Sequence, residues 1–411
     1  MITKTNYEET LNTALEIPIV EFNGIGFEQG FRHLQRCNAL LFLVLDEVRN
    51  GINDTVHKRI MQHLRSVVKG GHEPAVDVMQ IWAYPVLASI LAICANTASI
   101  WNDLSEDETA RIDIIMTAFA VMNNFATNDA NDYLTGFTRR GDYDKRRPPN
   151  FRLPVTLPIS AATVYFGGAE AVDNVLNNFN FDNFKAKLKE FGFTNMLNAW
   201  DVPSYEYGEI TISGTKELIH DGGLAFIISK SFMDSGNVYR GGTGKGATIP
   251  YIYKGAKADS YEFLKEIIDH TYSGGRVKST AGDNNDGTHM CYIIDGSTSP
   301  VEGLDGMFAE YNAKDGEGLR SDAFYCQMAF SMMVAYLTML KTTCNWDENS
   351  DSELYKKVWV GNTDHIYKFN KGYRCHAMGM YRVERENNLR GYFFTKCIWN
   401  SYFKQLELND V

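Results

Sequence analysis

The sequence lacks the patterns that mark disulfide-rich, zinc-binding and membrane-spanning proteins. Its 411 residues include seven cysteines, an odd number with no Cys-x-x-Cys spacing, which indicates neither a disulfide framework nor a zinc site. Cys37 and Cys94 fall in helical apolar patterns and are predicted to be buried thiols. No apolar run reaches the roughly 18 residues that span a bilayer, and the opening residues MITKTNYEET have no apolar signal-peptide core.

Basic residues are outnumbered by acidic ones, which gives a formal net charge of -11. This balance excludes a broad nucleic-acid-binding face, which needs a basic surface. The exception is residues 131–160, where the helical period disappears and basic residues alternate with aromatic ones. We predict an ordered rim or lid for a polyanion there, with a solvated charge run as the alternative. Its basic residues are Arg139, Arg140, Lys145, Arg146, Arg147 and Arg152, and its aromatic residues are Tyr133, Phe137, Tyr143 and Phe151.

Helical periodicity dominates the chain as far as Leu340. Residues 1–25 look irregular, with turn signals at Asn23-Gly24 and Gly26. A capping box, Ser105-Glu-Asp-Glu, marks one helix start. Helices are predicted over Gln29–Arg49, Thr55–Val68, Pro74–Asn96, Ser105–Asn128, Ala169–Asn178, Phe181–Phe191, Lys216–Met233, Ser260–Tyr272 and Ala323–Leu340.

The apolar period changes to two near the C-terminus, which predicts antiparallel strands. They cover Val358–Val360, His365–Phe369, Cys375–Arg382 and Gly391–Trp399. The helices follow one another without β-α-β alternation, and helical hairpins in such number tend to close into a ring. We therefore expect a mainly α fold. An α/α toroid, an incomplete barrel of helical hairpins, would cover residues 1–345, and a short β-rich segment packed on it would cover 346–411.

Chemically active side chains are concentrated in Asp283–Phe330, a stretch rich in glycine and acidic residues that leads into an apolar helix. We interpret it as a long loop that presents catalytic side chains, with a surface loop of packing tyrosines as the alternative. The candidates are His289, Tyr311, Arg320 and Tyr325. Residues 236–245 are also glycine-rich, but Gly246 stands where a nucleotide P-loop needs Ser or Thr, so that site is rejected.

Three short motifs connect the chain to a known group of proteins. They are Asn123-Asn124 at the end of a long helix, Asp286-Gly-Thr-His289 with residues 315–325, and His376–Arg382 followed by Arg385–Gly391. In these motifs and in its layout the chain resembles the α/α-toroid polysaccharide lyases. That group includes hyaluronate, chondroitin and alginate lyases, and the alginate and glucuronan lyases of polysaccharide lyase family 38. The β region is shorter here than in the two-domain lyases.

The resemblance implies β-elimination on an acidic, uronate-containing polysaccharide such as alginate (polymannuronate) or glucuronan. A uronate lyase removes the proton at C5 and expels the oxygen at C4. It therefore needs a group that neutralises the adjacent carboxylate, a base and an acid. The matching candidates are Asn124 (with Asn123 or Asn128) as neutraliser, His289 as base, Tyr325 as acid with Tyr311 as its rival, and Arg320 to lower the tyrosine pKa or bind carboxylate.

Arginine and histidine side chains supply candidate contacts to the other carboxylates of such a substrate. Arg240 lies among glycines that would let the backbone approach a sugar, and His72 lies in a Gly-Gly-His-Glu-Pro turn. The substrate-binding candidates are Arg139, Arg140, Arg146, Arg147, Arg240, His220, His72 and Asn128.

Other functions stay open on the residues alone. A toroidal glycoside hydrolase would use two carboxylates across a cleft, for which Asp129, Asp132, Asp221, Asp286 and Glu302 are available. A non-catalytic acidic-glycan-binding protein would need only the basic segment. We expect no cofactor, although Asp283 and Asp286 leave a structural calcium ion open. We also expect a monomer, secreted or periplasmic after removal of a signal peptide, because a polymer substrate favours export.

Overall fold

The computed structural model describes most of the first 200 residues and separate elements further along the chain. Described are residues 4–23, 27–74, 83–126, 157–158, 160–200, 323–347 and 349–351, together with short strands between residues 209 and 312. In the strands and in parts of several helices, the description covers the backbone alone.

Helices supply most of the described residues, so the mainly α prediction is confirmed at that level. The helices are α1 (Lys4–Glu16), α2 (Phe27–Asn50), α3 (Asp54–Val67), α4 (Tyr84–Ala95), α5 (Ala98–Trp101), α6 (Glu106–Ala126), α7 (Ala169–Asn177), α8 (Phe181–Glu190), α9 (Thr194–Trp200) and α10 (Ala323–Cys344), and residues 160–165 are helical as well. The strands are β1 (Glu209–Ile212), β2 (Thr215–Leu218), β3 (Ile252–Tyr253), β4 (Ala256–Lys257), β5 (Val277–Ser279), β6 (His289–Ile293) and β7 (Phe308–Asn312).

Helix α4 forms the centre of the described core. Every residue from Tyr84 to Cys94 is buried, because the helix is apolar on all sides and must be covered all round. Helices α2, α6 and α10 each pack against it. Cys37 and Cys94 are fully buried, as predicted, and burial raises the pKa of both thiols well above the ordinary value.

Short polar signals fix where two of these helices begin. The Asn53 side chain accepts hydrogen bonds from the amides of Thr55 at 3.0 Å and Val56 at 3.3 Å, which caps α3. At α6 the Ser105 amide donates to Glu108 Oε2 at 2.8 Å, and the Glu108 amide donates to Ser105 Oγ at 3.2 Å. This reciprocal pair is the predicted capping box, which is thereby confirmed.

The described strands pair in antiparallel fashion. Strands β1 and β2 form one hairpin, β3 and β4 form another, and β5, β6 and β7 form a sheet in that order. Strand β7 also packs against α10. The sheet is therefore attached to the helical core through α10, which lies on α4.

The prediction of irregular structure over residues 1–25 is wrong, because α1 occupies Lys4–Glu16. This helix is held by contacts that its own sequence does not display. The Tyr7 hydroxyl donates to Asp46 Oδ1 at 2.6 Å, and the Tyr7 ring lies 5.2 Å from that of Phe42. Packing on α2 therefore stabilises a segment whose asparagine and threonine content disfavours an isolated helix.

Two predictions further along the chain are also wrong. The helix predicted over Lys216–Met233 starts instead as strand β2, because Thr215–Leu218 pairs with Glu209–Ile212; residues 219–233 lie outside the described ones. The long loop predicted within Asp283–Phe330 contains β6 and β7, whose backbone groups bond to each other.

Helix α10 confirms the apolar helix predicted there, and α4 begins at Tyr84 rather than Pro74 among the described residues. The helix predicted over Ser260–Tyr272 and the C-terminal strands lie outside the described residues. No helix in the described part of the chain is long and apolar enough to cross a membrane.

Candidate active site

Four of the five catalytic candidates lie on elements that are connected by a series of contacts, each element packing on the next. Asn124 is in the last turn of α6, which packs on α4. Tyr325 is in the first turn of α10, which packs on the same helix. Tyr311 lies on β7 against α10, and His289 begins the neighbouring strand β6. The fold thus connects positions that are up to 201 residues apart, Asn124 and Tyr325, through α4.

The register of β6 and β7 separates the two candidates of the sheet. His289 pairs with Asn312, and Met290 pairs with Tyr311. Directly paired positions share a face of a pleated sheet, and successive positions alternate between the faces. Positions 289 and 311 therefore fall on opposite faces of the sheet.

Arg320 and most substrate-binding candidates fall outside the described residues. These substrate-binding candidates are Asn128, Arg139, Arg140, Arg146, Arg147, His220 and Arg240. The basic segment 131–160 also falls outside, apart from residues 157, 158 and 160.

His72 is the one predicted substrate contact whose side chain the structure describes, and its ring faces groups of its own chain. Its Nδ1 lies 3.0 Å from Ser66 Oγ, and its Nε2 lies 3.9 Å from Glu21 Oε2. Its backbone oxygen accepts a hydrogen bond from the Phe22 amide at 2.9 Å. The side chain is 23% exposed, so a ligand could reach it, but the Glu21 carboxylate beside it opposes the approach of another carboxylate.

Glu73 is a buried carboxylate that sequence reasoning missed. It accepts hydrogen bonds from the amides of Gly71 at 2.6 Å, Asn195 at 2.5 Å and Met196 at 3.1 Å. Burial raises the pKa of its carboxyl group, while these backbone hydrogen bonds act in the opposite direction. The Asn195 side-chain amide returns to the same loop, donating to the backbone oxygens of Gly71 and Glu73 at 3.0 Å each and of Phe22 at 2.9 Å.

A close backbone approach and a stacked arginine complete this junction. A Cβ on Gly70 would lie 2.3 Å from the Gly192 oxygen. The two backbone segments are therefore so close at Gly70 that only the hydrogen of a glycine fits between them. The Arg111 guanidinium lies 4.7 Å from the centre of the Phe191 ring and donates to the Phe191 oxygen at 2.8 Å. We call Gly70, Glu73, Arg111, Gly192 and Asn195 the 70/192 junction. It fixes the turn that carries His72.

A second polar cluster joins α2, α3 and α5. The buried Glu47 carboxylate accepts from Ser99 Oγ at 2.6 Å and lies 3.0 and 3.1 Å from His57 Nδ1. His57 Nε2 lies 3.5 Å from Asp103 Oδ2, which also pairs with Arg65. Each of these groups has a partner within the cluster, so its role is to hold the helices together. Among the described residues no group of three or more His, Cys, Asp or Glu is arranged to hold a metal ion.

Comparison with known proteins finds that the chain is similar to part of a lyase. Its sequence is 28% identical over 356 residues to gellan lyase from a Bacillus species. The matched region covers 84% of this chain and 13% of that relative, so the chain spans about one eighth of its length. No protein-family model matches the chain, and no solved structure matches it.

Proposed function

We propose that this chain is the catalytic part of a polysaccharide lyase, which cleaves an acidic, uronate-containing polysaccharide by β-elimination. The observation that carries the proposal is the 28% identity to gellan lyase over 84% of the chain. A likeness of that extent involves the body of the chain rather than one motif. It agrees with the lyase chemistry that the residues of Asp283–Phe330 can support.

The proposed architecture is an α/α toroid over residues 1–345 with a β-rich segment over 346–411. Two contacts support it. Helices α2 and α3 are joined by a short link and pack on each other, and so are α8 and α9, which is how helical hairpins are built. The sheet β5-β6-β7, which the toroid prediction did not include, lies against α10.

The chemistry requires a neutralised carboxylate. The C5 proton of a uronate is weakly acidic while the neighbouring carboxylate keeps its charge, so an uncharged or cationic donor must bind that carboxylate as negative charge develops. Asn124 is the proposed donor, and its place in the last turn of α6 sets it on a rigid element beside the core. A structural calcium ion and a metal-dependent mechanism are not required by this scheme.

The acid and base are proposed to come from β6, β7 and α10. His289 is the proposed base and Tyr325 the proposed acid, with Tyr311 as the rival acid. Because positions 289 and 311 fall on opposite faces of the sheet, one substrate C5–C4 bond is served more readily by His289 with Tyr325 than by His289 with Tyr311. Arg320 and the basic residues of segment 131–160 are proposed to bind further carboxylates.

The proposed substrates are alginate (polymannuronate) and glucuronan, and the name of the relative adds gellan. Ultraviolet absorbance tests the proposal, since elimination leaves a C4–C5 double bond conjugated with the carboxylate, whereas hydrolysis does not. The chain is incubated with polymannuronate, polyguluronate, glucuronan, hyaluronan, pectate and gellan. We expect absorbance to rise with at least one polymer and to be unchanged by EDTA. A loss with EDTA that calcium restores would identify a structural ion.

Matched variants assign the site. Asn124→Ala, His289→Ala and Tyr325→Phe should each lower the rate by about 100-fold or more, as expected for loss of a group that acts in the transition state. Tyr165→Phe is the control tyrosine, because Tyr165 bonds to Asp113 outside the candidate site. A rise in absorbance that survives all three changes keeps the lyase and removes this site. New reducing ends without absorbance would identify a hydrolase, and binding without products would identify a glycan-binding protein.

A further inference from the structure

Residues 17–23 form an extended strap between α1 and α2 that lies across α3 and the His72 turn. Its apolar side chains Ile17, Val20 and Phe22 are buried. Backbone groups of the strap bond to side chains of the helices beneath it. The Ile17 oxygen accepts from Arg59 Nη2, and the Glu21 oxygen accepts from Arg36 Nη1 at 3.4 Å. The strap is thus held largely by bonds to side chains rather than by a β-ladder.

A further hydrogen bond of the strap, from Val20, fixes the protonation state of a histidine. The Val20 amide donates to Nδ1 of His63 at 3.0 Å, and His63 is fully buried in α3. A nitrogen that accepts this bond carries no hydrogen, so the ring is neutral with its hydrogen on Nε2. In the described part of the chain Nε2 has no hydrogen-bond partner. A protonated ring would place an N–H of Nδ1 directly against the Val20 amide.

A second histidine lies beneath the same strap. The His33 ring is 4.7 Å from the Phe22 ring and is 1% exposed. Neither of its ring nitrogens has a hydrogen-bond partner among the described residues. A cation at this position would be buried without an acceptor, which is costly.

The surrounding charges oppose protonation of both rings. Burial, then Arg59 and Arg36, lowers the pKa of His63 to about 3. Burial, then Arg36 and Arg32, lowers the pKa of His33 to about 3. The nearby carboxylates are engaged elsewhere: Glu21 faces Arg36 and His72, and Glu73 accepts three backbone amides of the 70/192 junction.

We propose that the strap is an acid-sensitive latch, closed while His33 and His63 are neutral and released with uptake of a proton by each. Opening moves Val20 and Phe22 away, exposes both rings to water and lets them bind protons with an ordinary histidine affinity. Because Phe22 also bonds to the His72 oxygen and to Asn195 Nδ2, release frees one side of the 70/192 junction. The inference does not depend on the proposed activity.

The direction of the effect follows from the linkage of protonation to opening. Both histidines bind protons more weakly in the closed state, so the closed state is favoured above the ordinary histidine pKa and loses ground as pH falls below it. With a pKa of about 6.5 for an exposed histidine, a fall in pH from about 7.5 to about 5.5 raises the open population by about tenfold for each ring. Two rings together give about a 100-fold rise in the open population.

Amide hydrogen exchange of the whole chain, measured between those pH values and corrected for the intrinsic exchange rate, tests the latch. We expect the protection of the Val20 and Phe22 amides to fall by about 100-fold, while amides of α4 keep theirs. His63→Asn leaves an acceptor oxygen near the position of Nδ1 but cannot titrate. In this variant the protection of the same two amides should therefore fall by only about tenfold. His33→Phe combined with His63→Asn should remove the pH dependence.

Three results would overturn the latch. Protection of the strap that does not change with pH in the unaltered protein would do so without any variant. A fall of equal size in α4 would show general unfolding instead of local release. A pH dependence that persists in the double variant would assign the effect to other groups, of which His72 is the nearest to the strap.

Discussion

Replacing Gly70 with alanine should destabilise the protein by forcing apart two backbone segments that lie in close contact. The added Cβ would lie 2.3 Å from the Gly192 oxygen, 2.8 Å from the Gly192 carbonyl carbon and 3.2 Å from the Phe191 oxygen. All three are backbone atoms, so no side chain can rotate away. Gly70 is not among the glycines with positive φ, so alanine adds no backbone strain, and the full cost arises from the close approach.

The size of the effect follows from what must move. Forcing extra volume into a packed site costs about 1–3 kcal/mol. Separating the two turns also stretches the bond from Arg111 to the Phe191 oxygen, 2.8 Å long in the structure, and a lost hydrogen bond adds about 1 kcal/mol. We therefore expect a total loss of about 3 kcal/mol in the free energy of unfolding.

Gly51→Ala is the matched control. Gly51 has a φ of +83° and nothing within 4 Å of an added Cβ, so alanine there costs only the left-handed backbone conformation, about 1 kcal/mol. Urea unfolding followed by the helical circular dichroism signal compares the two variants. If Gly70→Ala is no less stable than Gly51→Ala, the turns separate freely and the 70/192 junction does not hold them.

Three smaller predictions concern single hydrogen-bonded groups. Glu73→Gln should cost about 2–3 kcal/mol in urea unfolding, because it removes a charge that accepts three backbone amides and turns an amide donor toward one of them. Ser105→Ala should lower the thermal midpoint by removing the capping box, a loss of about 1 kcal/mol that Ser105→Asp should largely restore. Tyr165→Phe should lower the same midpoint, because loss of the 2.6 Å hydrogen bond to Asp113 reduces the free energy of unfolding by about 1 kcal/mol.

Helix positions were predictable because their signals are local. The apolar period and the Ser105 capping box lie within a few residues of the helices that they define, and α2, α3, α6 and α10 follow them closely. Helix α1 was not predictable because Tyr7 finds its partners, Asp46 and Phe42, more than thirty residues away. A weak local propensity was outweighed by packing that the sequence order does not display.

The polar groups that hold the 70/192 junction and the strap were harder to predict for the same reason. Glu73 stands before a proline in a turn and looks like an ordinary helix-start carboxylate, but two of the three amides that it binds are 122 and 123 residues further along. The glycine pair Gly70-Gly71 was the one available signal, since adjacent glycines often mark a close backbone approach. His63 belongs to the apolar face of α3, and only the strap from residues 17–23 explains why a histidine lies there.

Catalytic candidates that are far apart in the sequence depend on α4 for their alignment. Asn124 on α6 and Tyr325 on α10 have no described contact with each other, but both helices pack on α4. Because α4 is buried on every side, close packing does most to set its position. A tightly packed helix transmits small displacements to whatever lies on it, and catalysis tolerates little misplacement. The most apolar of the described helices, which carries no chemistry, is therefore the one that the proposed chemistry most depends on.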